Sequence, residues 1–158
     1  MSDWLAVGDK LPTFQLADAD GNTIESTQWL GAPLVIYFYP KDDTPGCTKQ
    51  ACAFRDASAE LKQLGATVVG ISGDSVNSHV KFRDKYGLNF PLLADVGHAV
   101  SEQFGAFREK NMYGKKTMGI QRSTFLVDAD GVITKVWRRV QVDGHDAQVI
   151  AALKAMSA

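Results

Sequence analysis

The sequence predicts an α/β protein in which helices cover a single mixed β-sheet, and two observations carry that prediction. Apolar runs at 34–39 (LVIYFY) and 67–72 (TVVGIS) flank a helical pattern. Strand, helix and strand in that order form a parallel βαβ unit. Further on, runs at 123–127 and 132–140 flank Asp128, Ala129, Asp130 and Gly131, a turn that joins antiparallel neighbours. One sheet must therefore hold both kinds of pairing.

The elements follow in order. Segments 14–16 and 23–25 flank DADGN at 18–22 and read as a small hairpin. The run 34–39 is apolar throughout, as a central strand buried on both faces should be. A helix is predicted from Cys47 to Leu64, with Phe54, Leu61 and Leu64 on its apolar side and Gly65 as its stop. Segment 67–72 is the next buried strand. Asp74 or Ser75 caps a second helix that carries Val76, Val80, Phe82 and Tyr86 and ends at Gly87. A short strand at 90–93 and a short helix at 100–104 come next. Residues 105–119 are rich in Gly and Lys without clear periodicity, which predicts a loop. After the second hairpin, a last helix from about His145 places Val149, Ile150, Leu153 and Met156 on one face. No repeat, low-complexity tract or linker interrupts the chain, so residues 1–158 are expected to form one domain.

Composition narrows the function. Lys plus Arg (17) nearly balances Asp plus Glu (18), so neither nucleic acid nor an anionic membrane is expected as a partner. No stretch of roughly 18 apolar residues predicts a spanning helix. The opening segment has no basic region followed by an apolar run, so no signal peptide is expected. The two cysteines do not make a disulfide-stapled scaffold. These features point to a reducing compartment and a cytoplasmic protein.

Those two cysteines, Cys47 and Cys52, both lie where an apolar strand gives way to a helix. The Pro- and Gly-containing turn before Cys47 leaves it at or near the first position of that helix. There the unpaired backbone N–H groups and the macrodipole favour thiolate over thiol. Raising the thiolate fraction from about 3% to near completeness gains only about thirtyfold in rate. Further acceleration has to come from donors aimed at oxygens that gain charge. Spacing adds a second constraint. Five residues along an ideal helix separate two Cα atoms by about 8.6 Å, whereas a disulfide needs them within about 7 Å. If both residues share one intact helix, bonding requires its first turns to unwind. His79, His98 and His145 are scattered and do not pair with the cysteines as a zinc site. Asp42 and Asp43 read as turn formers, and Trp4, Trp29 and Trp137 as packing residues.

The pattern Pro40-x-x-x-Thr44-x-x-Cys47 resembles the active-site signature of the peroxiredoxins. The longer run 39–48 (YPKDDTPGCT), with Cys52 and Phe54-Arg55-Asp56, is similar to the bacterioferritin-comigratory, or Q-type, branch. Segment 119–128 (GIQRSTFLVD) matches the family segment that supplies an active-site arginine. One departure is Gln50, where many relatives carry a glutamate.

The resemblance implies a thioredoxin-like fold: a central mixed β-sheet flanked by helices, with an N-terminal β-hairpin extension. It implies a thiol-dependent peroxidase acting on hydrogen peroxide and organic hydroperoxides. In that reading Cys47 is the peroxidatic nucleophile, which becomes a sulfenic acid, and Cys52 the resolving cysteine, which closes an intramolecular disulfide. Thr44 hydrogen-bonds the thiolate and the bound peroxide, Pro40 shields the pocket from water, and Arg122 sits over the sulfur. No metal, haem or flavin is implied. Thioredoxin or a similar dithiol is the implied reductant, and a monomer is the expected assembly. Two rival functions share these residues: a general dithiol oxidoreductase and a non-catalytic peroxide sensor. The absence of Cys-x-x-Cys spacing counts against the first, and the absence of a basic patch or disordered arm against the second.

Overall fold

The computed structural model describes residues 3–157. The N-terminal hairpin pairs β1 (Gln15–Asp18) with β2 (Thr23–Glu25), and a 3₁₀ turn over Ser26–Trp29 follows. The central βαβ unit runs β3 (Leu34–Phe38), α1 (Pro45–Asp56), α2 (Ser58–Gln63) and β4 (Thr67–Ser72). Then come α3 (Val76–Tyr86), β5 (Leu92–Ala94) and α4 (Ala99–Phe104). The chain closes with β6 (Phe107–Met112), β7 (Lys115–Ile120), β8 (Ser123–Val127), β9 (Ile133–Trp137) and α5 (His145–Ser157).

Seven strands form the main sheet in the order β2-β1-β5-β4-β3-β8-β9. β3, β4 and β5 run parallel, while β8 and β9 on one side and β1 and β2 on the other are antiparallel. This is the mixed sheet that the sequence predicts. β3 lies between β4 and β8 and is buried at all five of its residues. Its side chains alternate between two cores. Val35 and Tyr37 join Tyr39, Phe54, Leu61, Phe82, Val149 and Leu153 on the face covered by α1, α3 and α5. Leu34, Ile36 and Phe38 join Phe14, Ile71, Phe104 and Phe125 on the other. Each fully buried Phe or Leu contributes about 1.5–3 kcal/mol. On the first face, Phe54 meets His145 edge-on with ring centres 6.2 Å apart, and His145 meets Trp137 at 5.2 Å. Trp4 and Trp29 pack on the second face.

Three expectations need correction. Residues 105–119 do not form a loop: β6 and β7 pair from Phe107–Ile120 to Met112–Lys115 as a separate two-stranded sheet. The tip carries two successive left-handed residues, Tyr113 (φ 55°) and Gly114 (φ 79°), as a two-residue hairpin turn demands. Beyond its base, most of this arm is covered by no second layer, so it needs no apolar alternation and shows none. Second, the helix predicted over 47–64 begins at Pro45 and breaks at Ala57 (φ −87°, ψ 4°). Asn89 reaches into the break, donating to Ser58 Oγ at 3.1 Å and to the Arg55 carbonyl at 3.5 Å, a side-chain intrusion of the kind that kinks helices. Third, β9 stops at Trp137 rather than 140. The chain leaves the ladder there, and the Val140 N–H donates to the Arg122 carbonyl at 3.1 Å. Among the described residues no helix is long and apolar enough to cross a membrane.

Candidate active site

The site forms where the parallel strands end, the usual place for chemistry in open α/β sheets. β3 delivers Tyr39 and Pro40 to the turn before α1, and Pro45 opens the helix, where its fixed φ and missing N–H cost nothing. Cys47 is therefore the third residue of α1 and only 2% exposed. In the β3–β8 register Phe38 faces Ser123, which sets Arg122 beside the end of β3. Arg122 Nη2 donates to Cys47 Sγ at 3.3 Å, and Nη1 donates to Gln50 Oε1 at 2.7 Å. Gly46 makes room for this fork, since a Cβ there would lie 3.1 Å from Nη2.

Of the residues singled out by sequence, the structure joins Cys47 and Arg122 directly. Thr44 is half-buried at the N-cap of α1, and its hydroxyl donates to the Lys41 carbonyl at 2.9 Å. Its lone pairs, not its proton, face further partners. Pro40 is exposed at the rim. Cys52 is half-buried on the same unbroken helix, and both cysteines are free thiols. Arg55 lies in the last turn of α1, three residues beyond Cys52; its contact with Asp56, and then the field of Cys52, raise its pKa.

Sequence reasoning missed the part that five residues play around the site. Asp42 is more than a turn former. At 7% exposure its carboxylate accepts from Tyr39 Oη (2.6 Å), Ser78 Oγ (2.8 Å) and His79 Nδ1 (2.7 Å), while its N–H donates to Asp74 Oδ2 (2.8 Å). Fully buried His79 also bonds the Leu93 carbonyl at 3.0 Å. This network fastens the turn before Cys47 to α3, β4 and β5. Asp42 and His79 stand 37 residues apart, so no local pattern announces them. Asp43 does match its turn reading: it sits at φ 56°, and hydrogen bonds from Lys85 and Tyr86 hold its carboxyl below the usual range.

Lys110 reaches in from β6. Burial lowers its pKa first, Arg122 lowers it further, and Cys47 opposes both. It escaped notice because its strand carries no apolar alternation. Gln50, 2% exposed, could have been found from helical spacing, because residues three apart share a face. Tyr37 underlies the site. Burial, then Cys47 and Asp42, push its pKa well above the ordinary value, and its hydroxyl finds no partner among the described residues.

Comparison with known proteins extends this picture over nearly the whole chain. The AhpC/TSA family pattern matches residues 7–136. Peroxiredoxin Bcp of Escherichia coli K12 is 45% identical over 150 residues, covering 95% of this chain and 96% of the relative. Peroxiredoxin Bcp of Bacillus subtilis is 43% identical over 153 residues, covering 97% and 98%. Among solved structures, the bacterioferritin comigratory protein of Xanthomonas campestris superposes with a TM-score of 0.89 at 41% identity, over 95% of this chain and all of that one. A PrxQ of Xylella fastidiosa gives 0.94 at 35% identity, over 99% of this chain and 100% of that one. Fold and sequence agree along the same length: the chain belongs to the AhpC/TSA family, on its Bcp or Q-type peroxiredoxin branch, and is a thiol-dependent peroxidase with a thioredoxin-like fold.

Proposed function

We propose that Cys47 is the peroxidatic nucleophile and Cys52 its resolving partner. The observation that carries this reading is the buried Cys47 sulfur at the start of α1 with Arg122 Nη2 at 3.3 Å. The Cys47 thiolate attacks the terminal oxygen of a hydroperoxide, and the O–O bond breaks. The bonding pair leaves on the other oxygen, which takes up a proton to become an alcohol or water, and the sulfur becomes a sulfenic acid. Arg122 stabilises charge that spreads from sulfur to oxygen along this path. Thr44, with its proton committed to Lys41, accepts a hydrogen bond from the incoming peroxide. Pro40 limits water at the rim.

Cys52 then attacks the sulfenic sulfur, water leaves, and a disulfide forms. A thioredoxin-type dithiol, the kind of reductant the family uses, restores both thiols by exchange. Hydrogen peroxide and organic hydroperoxides are both substrates in this reading. Work on the Xanthomonas relative concerns its alkyl peroxide reduction activity, which supports the organic arm. We further infer a single domain over residues 1–158, working as a cytoplasmic monomer.

Peroxide-dependent NADPH oxidation in the presence of thioredoxin and its reductase tests the cycle. Cys47→Ser abolishes turnover, because a hydroxyl has no accessible anion near neutrality. Cys52→Ser consumes one equivalent of peroxide and stalls as the sulfenic acid. Normal turnover by Cys47→Ser overturns the whole reading; normal thioredoxin-linked turnover by Cys52→Ser overturns the resolving role alone.

A further inference from the structure

We propose that Lys110 is a catalytic residue, whose ammonium gives the departing oxygen of the peroxide its proton while Cys47 takes the other oxygen. The inference rests on the nucleophilic role given to Cys47 above, which leaves the source of that proton unassigned. Arg122 cannot supply it, because a guanidinium keeps its protons in proteins. The Thr44 hydroxyl has its proton on the Lys41 carbonyl. Tyr37 lies beneath the sulfur, and burial first, then the field of Cys47, hold its proton more tightly than usual. Lys110 is the remaining acid whose charge is felt at both Cys47 and Arg122.

Its placement on the arm is unlike that of its neighbours. Lys110 is half-buried, whereas Lys115 and Lys116 on the facing strand are exposed. Its direct partner across the hairpin is Thr117, yet its stem leans diagonally over Gly119. A Cβ at 119 would lie 3.6 Å from Lys110 Cδ and 3.8 Å from Cε, so the glycine gives the stem bare backbone to cross. The lean carries the side chain toward the base of the arm, where Gly119 stands three residues before Arg122. The other charges of the arm are engaged elsewhere or exposed. Arg108 lies over the Trp4 ring at 5.0 Å, and Glu109 pairs with Lys116 at 3.7 Å. Lys110 itself forms no ion pair among the described residues. Burial and then Arg122 lower its pKa, and Cys47 opposes them, so its proton leaves more readily than that of a free lysine, as a general acid requires.

The step balances without a further reactant. As the bond between sulfur and the terminal oxygen forms, the O–O bond breaks and its electron pair goes to the departing oxygen. The oxygen on sulfur keeps the peroxide's own proton. The departing oxygen takes one from the Lys110 ammonium. The products are a sulfenic acid, an alcohol or water, and a neutral amine that recovers its proton from solvent.

Leaving groups of different basicity isolate the proton transfer. Hydroxide and tert-butoxide are strong bases that need a proton to depart, whereas acetate, released from peracetic acid, needs none. The measurement is the stopped-flow rate at which hydrogen peroxide, tert-butyl hydroperoxide and peracetic acid oxidise the reduced protein. All three are compared at one slightly acidic pH, where the peracid is un-ionised, with near-ultraviolet circular dichroism as the check on folding. Lys110→Arg keeps the charge but cannot release a proton. Its rates with the first two oxidants fall about tenfold to a hundredfold, while its rate with peracetic acid stays that of the wild type. Lys110→Leu keeps a stem over Gly119 and removes the charge as well. Loss of charge acts on all three oxidants alike, so the ratio of its hydrogen peroxide rate to its peracetic acid rate falls by the same factor as in Lys110→Arg. Wild-type rates for Lys110→Arg, or an equal loss with all three oxidants, overturn the inference and leave water as the proton source. Should either variant fail to fold, the rate ratio of the other decides. Cys47→Ser measured with hydrogen peroxide tells the two failures apart. If it retains activity, the nucleophile was wrongly assigned; if it is inactive while Lys110→Arg behaves as wild type, only this inference falls.

Discussion

A guanidinium presents two terminal nitrogens in one plane, and Arg122 divides them between a neutral oxygen and a sulfur, at 2.7 and 3.3 Å. A lysine at this position would keep the charge but could serve only one of the two with comparable geometry. Arg122→Lys is therefore expected to slow peroxide attack by about tenfold to a hundredfold, with the fold intact. Stopped-flow oxidation of the reduced variant measures this, and an unaltered rate would hand the role to another cation, with Lys110 the first candidate. At this scale the sequence was legible where chemistry is local. Cys47 and its turn announce themselves through a strand, a Pro/Gly segment and a helix start. The pairing of Arg122 with the sulfur spans 75 residues, so residue spacing alone left Arg122 an ordinary strand-flanking charge. Only the resemblance of segment 119–128 singled it out.

At the level of elements, α1 is the part that the proposed cycle requires to change. It holds both cysteines between Pro45 and Asp56, and an ideal helix keeps their Cα atoms about 8.6 Å apart, beyond the reach of a disulfide. The break at Ala57, propped by Asn89, separates this helix from α2. It supplies a boundary at which unwinding can stop. On oxidation, amides from 47 to 54 are expected to lose hydrogen-exchange protection, while Leu61 in α2 retains its own. Mass-spectrometric exchange on the reduced and disulfide forms tests this. Equal protection of 47–54 in both states would mean that the cysteines already lie within bonding distance. The break itself was not legible, because apolar positions at Phe54, Leu61 and Leu64 fit one continuous helix and the intruding Asn89 comes from elsewhere in the chain. The β6–β7 arm escaped for the opposite reason. Most of it packs under nothing, so its strands carry no apolar alternation, and only Tyr113-Gly114 marks the turn.

Across the whole molecule, the two apolar runs at 34–39 and 67–72 and the DADG turn at 128–131 were enough to specify the mixed sheet, because burial on both faces and hairpin geometry leave few alternatives. What stayed hidden were polar contacts between distant segments, such as Asp42 with His79 and Thr124 with His145. The second pair bears on stability. Burial holds the His145 imidazole below its ordinary value of 6.5, with smaller opposing effects from Gln148 and Asp146. Between that lowered value and 6.5 the unfolded chain binds more protons than the native one, so native stability falls as pH falls through this window. The urea midpoint is expected to drop between about pH 7 and 5.5, and to drop less in His145→Gln. Identical slopes would remove His145 from the acid response. The same residue gives the molecule an optical readout. Trp137 touches His145, which touches Phe54 on α1, while Trp4 and Trp29 pack on the opposite face of the sheet. If α1 unwinds on oxidation as proposed, Phe54 is expected to withdraw from this stack and expose the indole of Trp137 to water, whereas the other two indoles keep their surroundings. The chain thus carries its own fluorophore for the redox cycle, and a Trp4→Phe, Trp29→Phe protein would emit from a single tryptophan whose colour and intensity follow the state of the cysteines.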